Sequence, residues 1–171
     1  TIEDVERLLA IPVLGVIPYL KTEAEKPKGK IPFRKIFLSR KEKEDLRVEN
    51  LKKQLLIFYS SQSPIAEAYR ILRTNIIIEV FKNQPKGKTI LITSAGPQEG
   101  KSINSSNLGI SLAQAGNKVL LVDLDLRRSS IDKIFGLSSP HKRGGLTEVL
   151  RGTLRLEDTL YSLTDLLVGS S

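Results

Sequence analysis

The sequence predicts an α/β fold: a mostly parallel sheet flanked by helices, of the phosphate-loop NTPase type, with its C-terminal part truncated. Three observations predict it. Ile90 to Ile92 is a short apolar run that reads as a buried strand. Gly100-Lys101-Ser102 follows a glycine-punctuated turn and opens a helical pattern. Val119 to Val122 is a second buried strand, running directly into Asp123 and Asp125. Strand, loop, helix and strand in that order form the phosphate-binding half of a nucleotide-binding domain.

Taken in order, residues 1–20 read as a helix–strand segment. Thr1 to Ala10 is a helix, with Thr1 and Asp4 placed as in a capping box and Ile2, Val5, Leu8 and Leu9 as its apolar stripe. Ile11 to Pro18 reads as a short strand closed off by prolines. Residues 21–62 read as a basic linker. Twelve basic and six acidic residues between Lys21 and Lys53 leave a balance of +6, most of the chain's +8. Such a run is a solvated linker or, near a membrane, a surface for anionic headgroups, worth about 1 kcal/mol per basic residue close to the lipid. Few aromatics interleave and no recognition motif is present, so nucleic acid is not an expected partner. Leu46, Leu51, Leu55 and Phe58 have roughly helical spacing within it.

Residues 63–171 carry the domain proper. Ser63-Pro64 starts a strong helix, serine at the N-cap and proline at the first helical position. Ile65, Ala68, Leu72, Ile76 and Val80 form its expected buried stripe, with Glu67, Arg70 and Arg73 on an adjacent flank. In the helix after Lys101 the expected stripe is Ile103, Leu108, Leu112 and Ala115, stopped by Gly116. Ser129 to Phe135 reads as a short helix, Gly145 to Gly152 as another and Leu156 to Leu160 as a third. Leu163 to Val168 is a candidate strand, and the lone His141 lies in a loop with no role.

The loop before Lys101 approaches the pattern G-x-x-x-x-G-K-[ST], with Ala95 at its first position and Gly96 one residue later. Such a loop turns backbone N–H groups inward around a polyphosphate, at the positive end of a helix. Gly96 and Gly100 permit positive φ and close approach, while Pro97 stiffens the turn. Lys101 would reach the β- and γ-phosphates, and the Ser102 hydroxyl would hold Mg²⁺. Asp123 and Asp125 end a parallel strand, where open α/β sheets place their ligands. Alternate residues share a strand face, so both carboxylates can point one way. Asp123 is expected to orient a metal-bound water or the attacking hydroxyl. Asp125 supports the metal or acts as base, unless it merely caps the next helix.

Thr93-Ser94-Ala95-Gly96-Pro97-Gln98-Glu99-Gly100-Lys101-Ser102, followed by Leu120-Leu121-Val122-Asp123-Leu124-Asp125-Leu126-Arg127-Arg128, resembles the bacterial tyrosine kinase family. These are the cytoplasmic kinases, or kinase regions, of capsular and exopolysaccharide chain-length regulators. The resemblance makes the first block a Walker A loop and the second a Walker A′ motif of D-x-D-x-R form, both shared with the wider deviant-Walker ATPases. It implies ATP or ADP held by Gly96, Pro97, Gln98, Glu99, Gly100, Lys101, Ser102, Ile103 and Arg127. It also implies Mg²⁺ held by Ser102, Asp123 and Asp125, with Lys101 and the two aspartates catalytic. Ser63 to Ile76 is similar to the family's E-x-x-R-x-x-R helix. That similarity implies a homo-oligomeric ring contacted through Glu67, Arg70 and Arg73, with trans-phosphorylation across the interface. The opening segment resembles the piece after the second membrane helix of polysaccharide co-polymerases, which implies a membrane activator or upstream transmembrane helices at the cytoplasmic face of the inner membrane.

The implied activity is an ATP-dependent protein-tyrosine autokinase controlling polysaccharide polymerisation and export. Two parts of the family pattern are not found: a Walker B strand ending in aspartate and a tyrosine-rich tail. Tyr19, Tyr59, Tyr69 and Tyr161 are scattered and look structural. The chain starts at Thr1 and contains no methionine, so it is expected to be a portion of a longer protein, weakly active by itself. With no cysteine, disulfide scaffolds, Cys-ligated zinc and iron–sulfur clusters are excluded. No apolar run approaches the ~20 residues that span a bilayer. Two other classes remain. A partitioning or septum-positioning ATPase usually carries a lysine where Gly96 stands and lacks a helix like Ser63 to Ile78. A non-catalytic scaffold would use the basic linker and Arg-rich helix to hold a membrane assembly.

Overall fold

The computed structural model describes residues 2–18, 45, 49, 53, 55, 62–82, 88–137 and 144–162. Apart from Asp45, Glu49, Lys53, Leu55 and Gln62, the linker lies outside the described residues, as do the part of the loop that holds His141 and the candidate strand from Leu163. The described chain falls into two compact units. One holds the N-terminal segment and the helices on either side of the Gly-rich loop, through Leu121; the other takes in Val122 onward.

In the first unit, helix α1 (Ile2–Leu9) forms as expected. Its apolar stripe, however, faces outward; Leu8 is 79% exposed. The strand expected after it is absent, because local polar contacts and packing take over. Glu6 Oε1 accepts from Val13 N–H at 2.8 Å, and Leu14 O accepts from Asn75 Nδ2 at 2.7 Å. A Cβ on Gly15 would stand 3.3 Å from Leu72 Cβ, so glycine eases the close approach of this segment to the next helix.

That helix, α2 (Pro64–Asn75), begins where local chemistry dictates. The Ser63 Oγ accepts from Ala66 N–H at 3.1 Å and Pro64 opens the first turn. Ile65 and Tyr69 are buried on it, Tyr69 to 2% exposure. Of the expected stripe, Ile76 is also buried and Ala68 and Leu72 are half-buried. Past Asn75 the backbone widens into a π-helical turn, Ile76–Val80, closed by Phe81 N–H to Ile76 O at 3.2 Å. The sequence carries no signal for that widening.

Helix α3 (Lys101–Gln114) packs on α2. Ile76, Leu108 and Leu112 make the core between them, with Leu14, Leu72, Phe81 and Ile92 packed against it. Ile103 is buried as expected, whereas Ala115, just past the end of α3, is exposed together with Ala113 and Gln114; Gly116 follows at φ +84°. Two polar stitches cross the pair. Tyr69 O–H donates to Asn104 Oδ1 at 2.6 Å, and Arg73 Nη1 donates to Ser111 O at 2.8 Å and to Ser111 Oγ at 3.3 Å.

No strand forms among the described residues. Ile92 reaches the core, but Leu91 is 74% exposed, and Val119, Leu120 and Val122 are exposed as well. A parallel strand needs partners on both sides to satisfy its backbone and cover its faces. No such ladder joins these segments, so the expected buried strands are not seen.

In the second unit, the short helices α4 (Ile131–Ile134) and α5 (Leu146–Leu150) are shorter than their expected spans. A 3₁₀ turn follows at Leu156–Thr159 and packs on α5. Glu148 fixes the start of α5 by accepting from Gly145 N–H at 2.8 Å.

Candidate functional site

The loop from Ser94 to Ile103 is drawn together by three side chains. Lys101 Nζ donates to Ser94 Oγ at 2.6 Å and to Gly96 O at 2.8 Å, and Ser94 Oγ donates in turn to Gly96 O at 2.9 Å. Across the same residue, Gly96 N–H donates to Glu99 Oε2 at 2.9 Å. The loop's cation and its one anion therefore both close on Gly96. The Gly96 and Ser94 hydrogen bonds, with the Lys101 charge nearby, hold the Glu99 carboxyl below the usual carboxylate range.

Behind the loop, buried Ile103 seats the first turn of α3, and Asn104 N–H donates to Gly100 O at 2.8 Å. Gly100 is the N-cap of α3 at φ +86°, as the sequence requires of one loop glycine. The second left-handed residue is Gln98, at φ +66°, and not Gly96. Gly96 leaves room for a carboxylate: a Cβ there would stand 3.1 Å from Glu99 Oε1. Pro97, Gln98 and Glu99 are exposed along the loop, while Lys101 and Ser102 are half-buried at the helix start.

A Gly-rich turn with an ammonium laid over it and an inward backbone N–H engaged by a carboxylate is a fit site for a polyanion. The Glu99 carboxylate occupies the Gly96 N–H. For the metal, the Ser102 hydroxyl and the carboxylates of Asp123 and Asp125 are hard oxygen donors of the kind Mg²⁺ takes. Ser102 belongs to the first unit and the two aspartates to the second. Among the described residues, no cluster of three or more His, Asp or Glu side chains is arranged for a metal ion.

The aspartates do not share a strand face. Asp123 Oδ1 accepts from Asp125 N–H at 3.0 Å, and the chain turns at once, Leu126 N–H reaching Leu124 O at 3.0 Å. Asp123 Oδ2 accepts from Ser130 and Ile131 N–H at 3.0 and 3.1 Å, with the Ser129 hydroxyl at 3.3 Å. The helix-capping task foreseen for Asp125 is thus performed by Asp123, at the start of α4. Asp125 accepts a turn bond from Arg128 N–H, at 2.9 Å, and is exposed; Arg127 beside it is exposed too.

Of the three charged residues on α2, Glu67 and Arg70 pair with each other at 2.6 Å on the surface. Arg73 turns instead toward α3 and Ser111. Sequence reasoning did not single out Ser94 as Lys101's partner, nor Tyr69 and Asn104 as the link between α2 and the loop helix. Ser94 sits inside the motif and could have been found there; the Tyr69–Asn104 pair spans 35 residues and leaves no local signal.

No protein-family model matches the chain. It is 38% identical over 116 residues to the tyrosine-protein kinase YwqD of Bacillus subtilis (strain 168), across 68% of this chain and 47% of the relative. To the tyrosine-protein kinase CpsD of Streptococcus pneumoniae it is 43% identical over 94 residues, 55% of this chain and 39% of the relative. A crystal structure of the chimerical protein CapA2B2 superposes with a TM-score of 0.63 at 30% identity, covering 92% of this chain and 53% of that one. The chain spans less than half the length of these two kinases.

Proposed function

From the chain's membership of the bacterial tyrosine-protein kinase family, we propose that it carries the phosphate-binding part of an ATP-dependent protein-tyrosine autokinase. The observation that supports this best is the loop itself, where Lys101 lies over Gly96 and an anionic oxygen already accepts from the Gly96 N–H.

In this reading the backbone of Gly96 to Gly100 holds the phosphates of ATP, and Lys101 leaves Ser94 and Gly96 O to neutralise the terminal ones. Ser102, Asp123 and Asp125 would hold Mg²⁺, which supplies further charge neutralisation on the phosphoryl group. Catalysis by this chain's residues is then positioning and charge compensation: Lys101 on the transferring group and a carboxylate to orient the tyrosine hydroxyl. Asp125 suits that last task better than Asp123, whose oxygens cap α4 and hold the turn.

Further proposals concern the setting. The exposed Glu67–Arg70 pair forms the outward contact of a homo-oligomeric ring, and Arg73 holds the helix that presents it. Residues 21–53 touch anionic lipid at the cytoplasmic face of the inner membrane, beside a membrane activator, and the kinase governs capsular or exopolysaccharide polymerisation and export. Among the described residues, no helix is long and apolar enough to cross a membrane.

Isothermal titration of the full-length protein with MgADP tests the core of this reading. Saturable binding is expected, and Lys101→Met should weaken it by about ten-fold or more, the loss of a charge-assisted contact. Absence of saturable binding in the unsubstituted protein would leave only a scaffold.

A further inference from the structure

The Gly96 N–H serves two masters in the account above: it is a donor the phosphates need, and the Glu99 carboxylate holds it at 2.9 Å. We propose that Glu99 is a built-in competitor for the phosphate groups, an intramolecular anion that must leave Gly96 before a polyphosphate can take its place. The inference rests on the reading of this loop as a phosphate site.

Four features of the loop carry it. First, the contact is made with the charged end of the side chain: Glu99 Oε2 accepts from Gly96 N–H, and Oε1 lies 3.1 Å from where a Gly96 Cβ would be. The carboxylate therefore sits against the face of Gly96 that glycine leaves open. Second, the same few residues hold the charge in place. Gly96 and Ser94 hydrogen bonds and the Lys101 ammonium all favour the ionised form of Glu99. These are the groups that favour phosphate oxygens as well. Third, the positive end of the loop is also engaged internally, Lys101 Nζ being bonded to Ser94 Oγ and Gly96 O. A polyphosphate entering the loop exchanges both contacts, and only the carboxylate is of its own sign. Fourth, Glu99 is exposed, so its side chain can rotate into water without unpacking anything.

A competitor of this kind lowers affinity for every ligand that presents phosphate oxygens to Gly96, and it speeds their departure by refilling the site. It acts on phosphate and not on the nucleoside. Gln98 gives the arrangement its shape, since its φ of +66° folds the loop back far enough for residue 99 to reach residue 96.

The test compares the unsubstituted full-length protein with Glu99→Gln and Glu99→Ala by isothermal titration, using MgADP, Mg-pyrophosphate and adenosine as separate probes. Glu99→Gln keeps the size and the hydrogen-bonding reach and removes the charge. The inference expects MgADP and pyrophosphate each to bind about five-fold or more tightly to both variants, with adenosine affinity unchanged, because a charge-assisted contact has been withdrawn from the unliganded side of the equilibrium. Unchanged or weaker pyrophosphate binding in both variants would overturn it, as would an equal gain for adenosine. If none of the three proteins binds pyrophosphate or MgADP saturably, the phosphate-loop reading itself fails, a result separate from failure of the competitor. A circular dichroism melt within a few degrees of the unsubstituted protein shows that a variant is folded, and one folded variant suffices to decide.

Discussion

The Tyr69 hydroxyl donates to Asn104 Oδ1 at 2.6 Å from a side chain only 2% exposed, and Asn104 N–H in turn holds the carbonyl of Gly100. A buried polar pair of this kind costs more to break than it yields when made. Tyr69→Phe keeps the ring and deletes the donor, and is expected to lower stability by about 1–2 kcal/mol in urea unfolding, with an unchanged m-value. A loss below a few tenths of a kcal/mol would mean that water replaces the hydroxyl and that the pair does not fix the loop helix. At this scale the sequence was legible where one residue type has one use. Gly100 had to be left-handed and is; Ser63 had to cap and does. It was illegible where a side chain can choose among partners. Both Asp123 and Asp125 follow a strand-like run, and nothing in that pattern says which carboxylate turns to the next helix. The structure gives the task to Asp123 because its Oδ2 reaches two N–H groups at the start of α4.

Among the elements, α2 and α3 show how one face of a helix can be divided between tasks. Glu67 and Arg70 pair at the surface, three residues apart, whereas Arg73 crosses to Ser111 on α3. Exposed pairs at that spacing contribute about 0.3–0.5 kcal/mol, and a guanidinium bonded to the carbonyl of a buried residue such as Ser111 about 1.5–3 kcal/mol. Arg73→Ala is accordingly expected to lower the unfolding free energy by about 2 kcal/mol, and Arg70→Ala by less than about 0.5 kcal/mol. If Arg70 serves the ring, its substitution should instead shift the sedimentation of the full-length protein toward monomer. A reversed order of stability losses would remove Arg73 from the helix interface. Helices of this kind are written locally, in caps and in 3.6-residue periodicity, which is why Pro64–Asn75 and Lys101–Gln114 lie close to their expected bounds. Strands are not, since Ile90–Ile92 and Val119–Val122 become strands only through partners elsewhere in the chain. The π turn after Asn75 had no signature at all.

For the whole molecule, the described part is two units, one built around α2, α3 and the Gly-rich loop, the other around the turn at Asp123 and the short helices after it. Motif order was readable because the loop, the helix and the acidic turn follow one another within 40 residues. The matched stretch covers less than half of each of these kinases, so their activity comes to the chain as a proposal resting on the loop. The positively charged stretch from Lys21 to Lys53 sets the expected behaviour with lipid, not the chemistry of the site. What separates a kinase from a nucleotide-driven switch with the same loop is the fate of the transferred phosphoryl group. The most direct measurement is therefore phosphotyrosine formed on the full-length protein incubated with MgATP, followed by mass spectrometry, with Lys101→Met alongside. The account predicts phosphotyrosine accumulating in the unsubstituted protein and none above background in the variant; equal labelling of the two, or none in either while MgATP still binds, would contradict it.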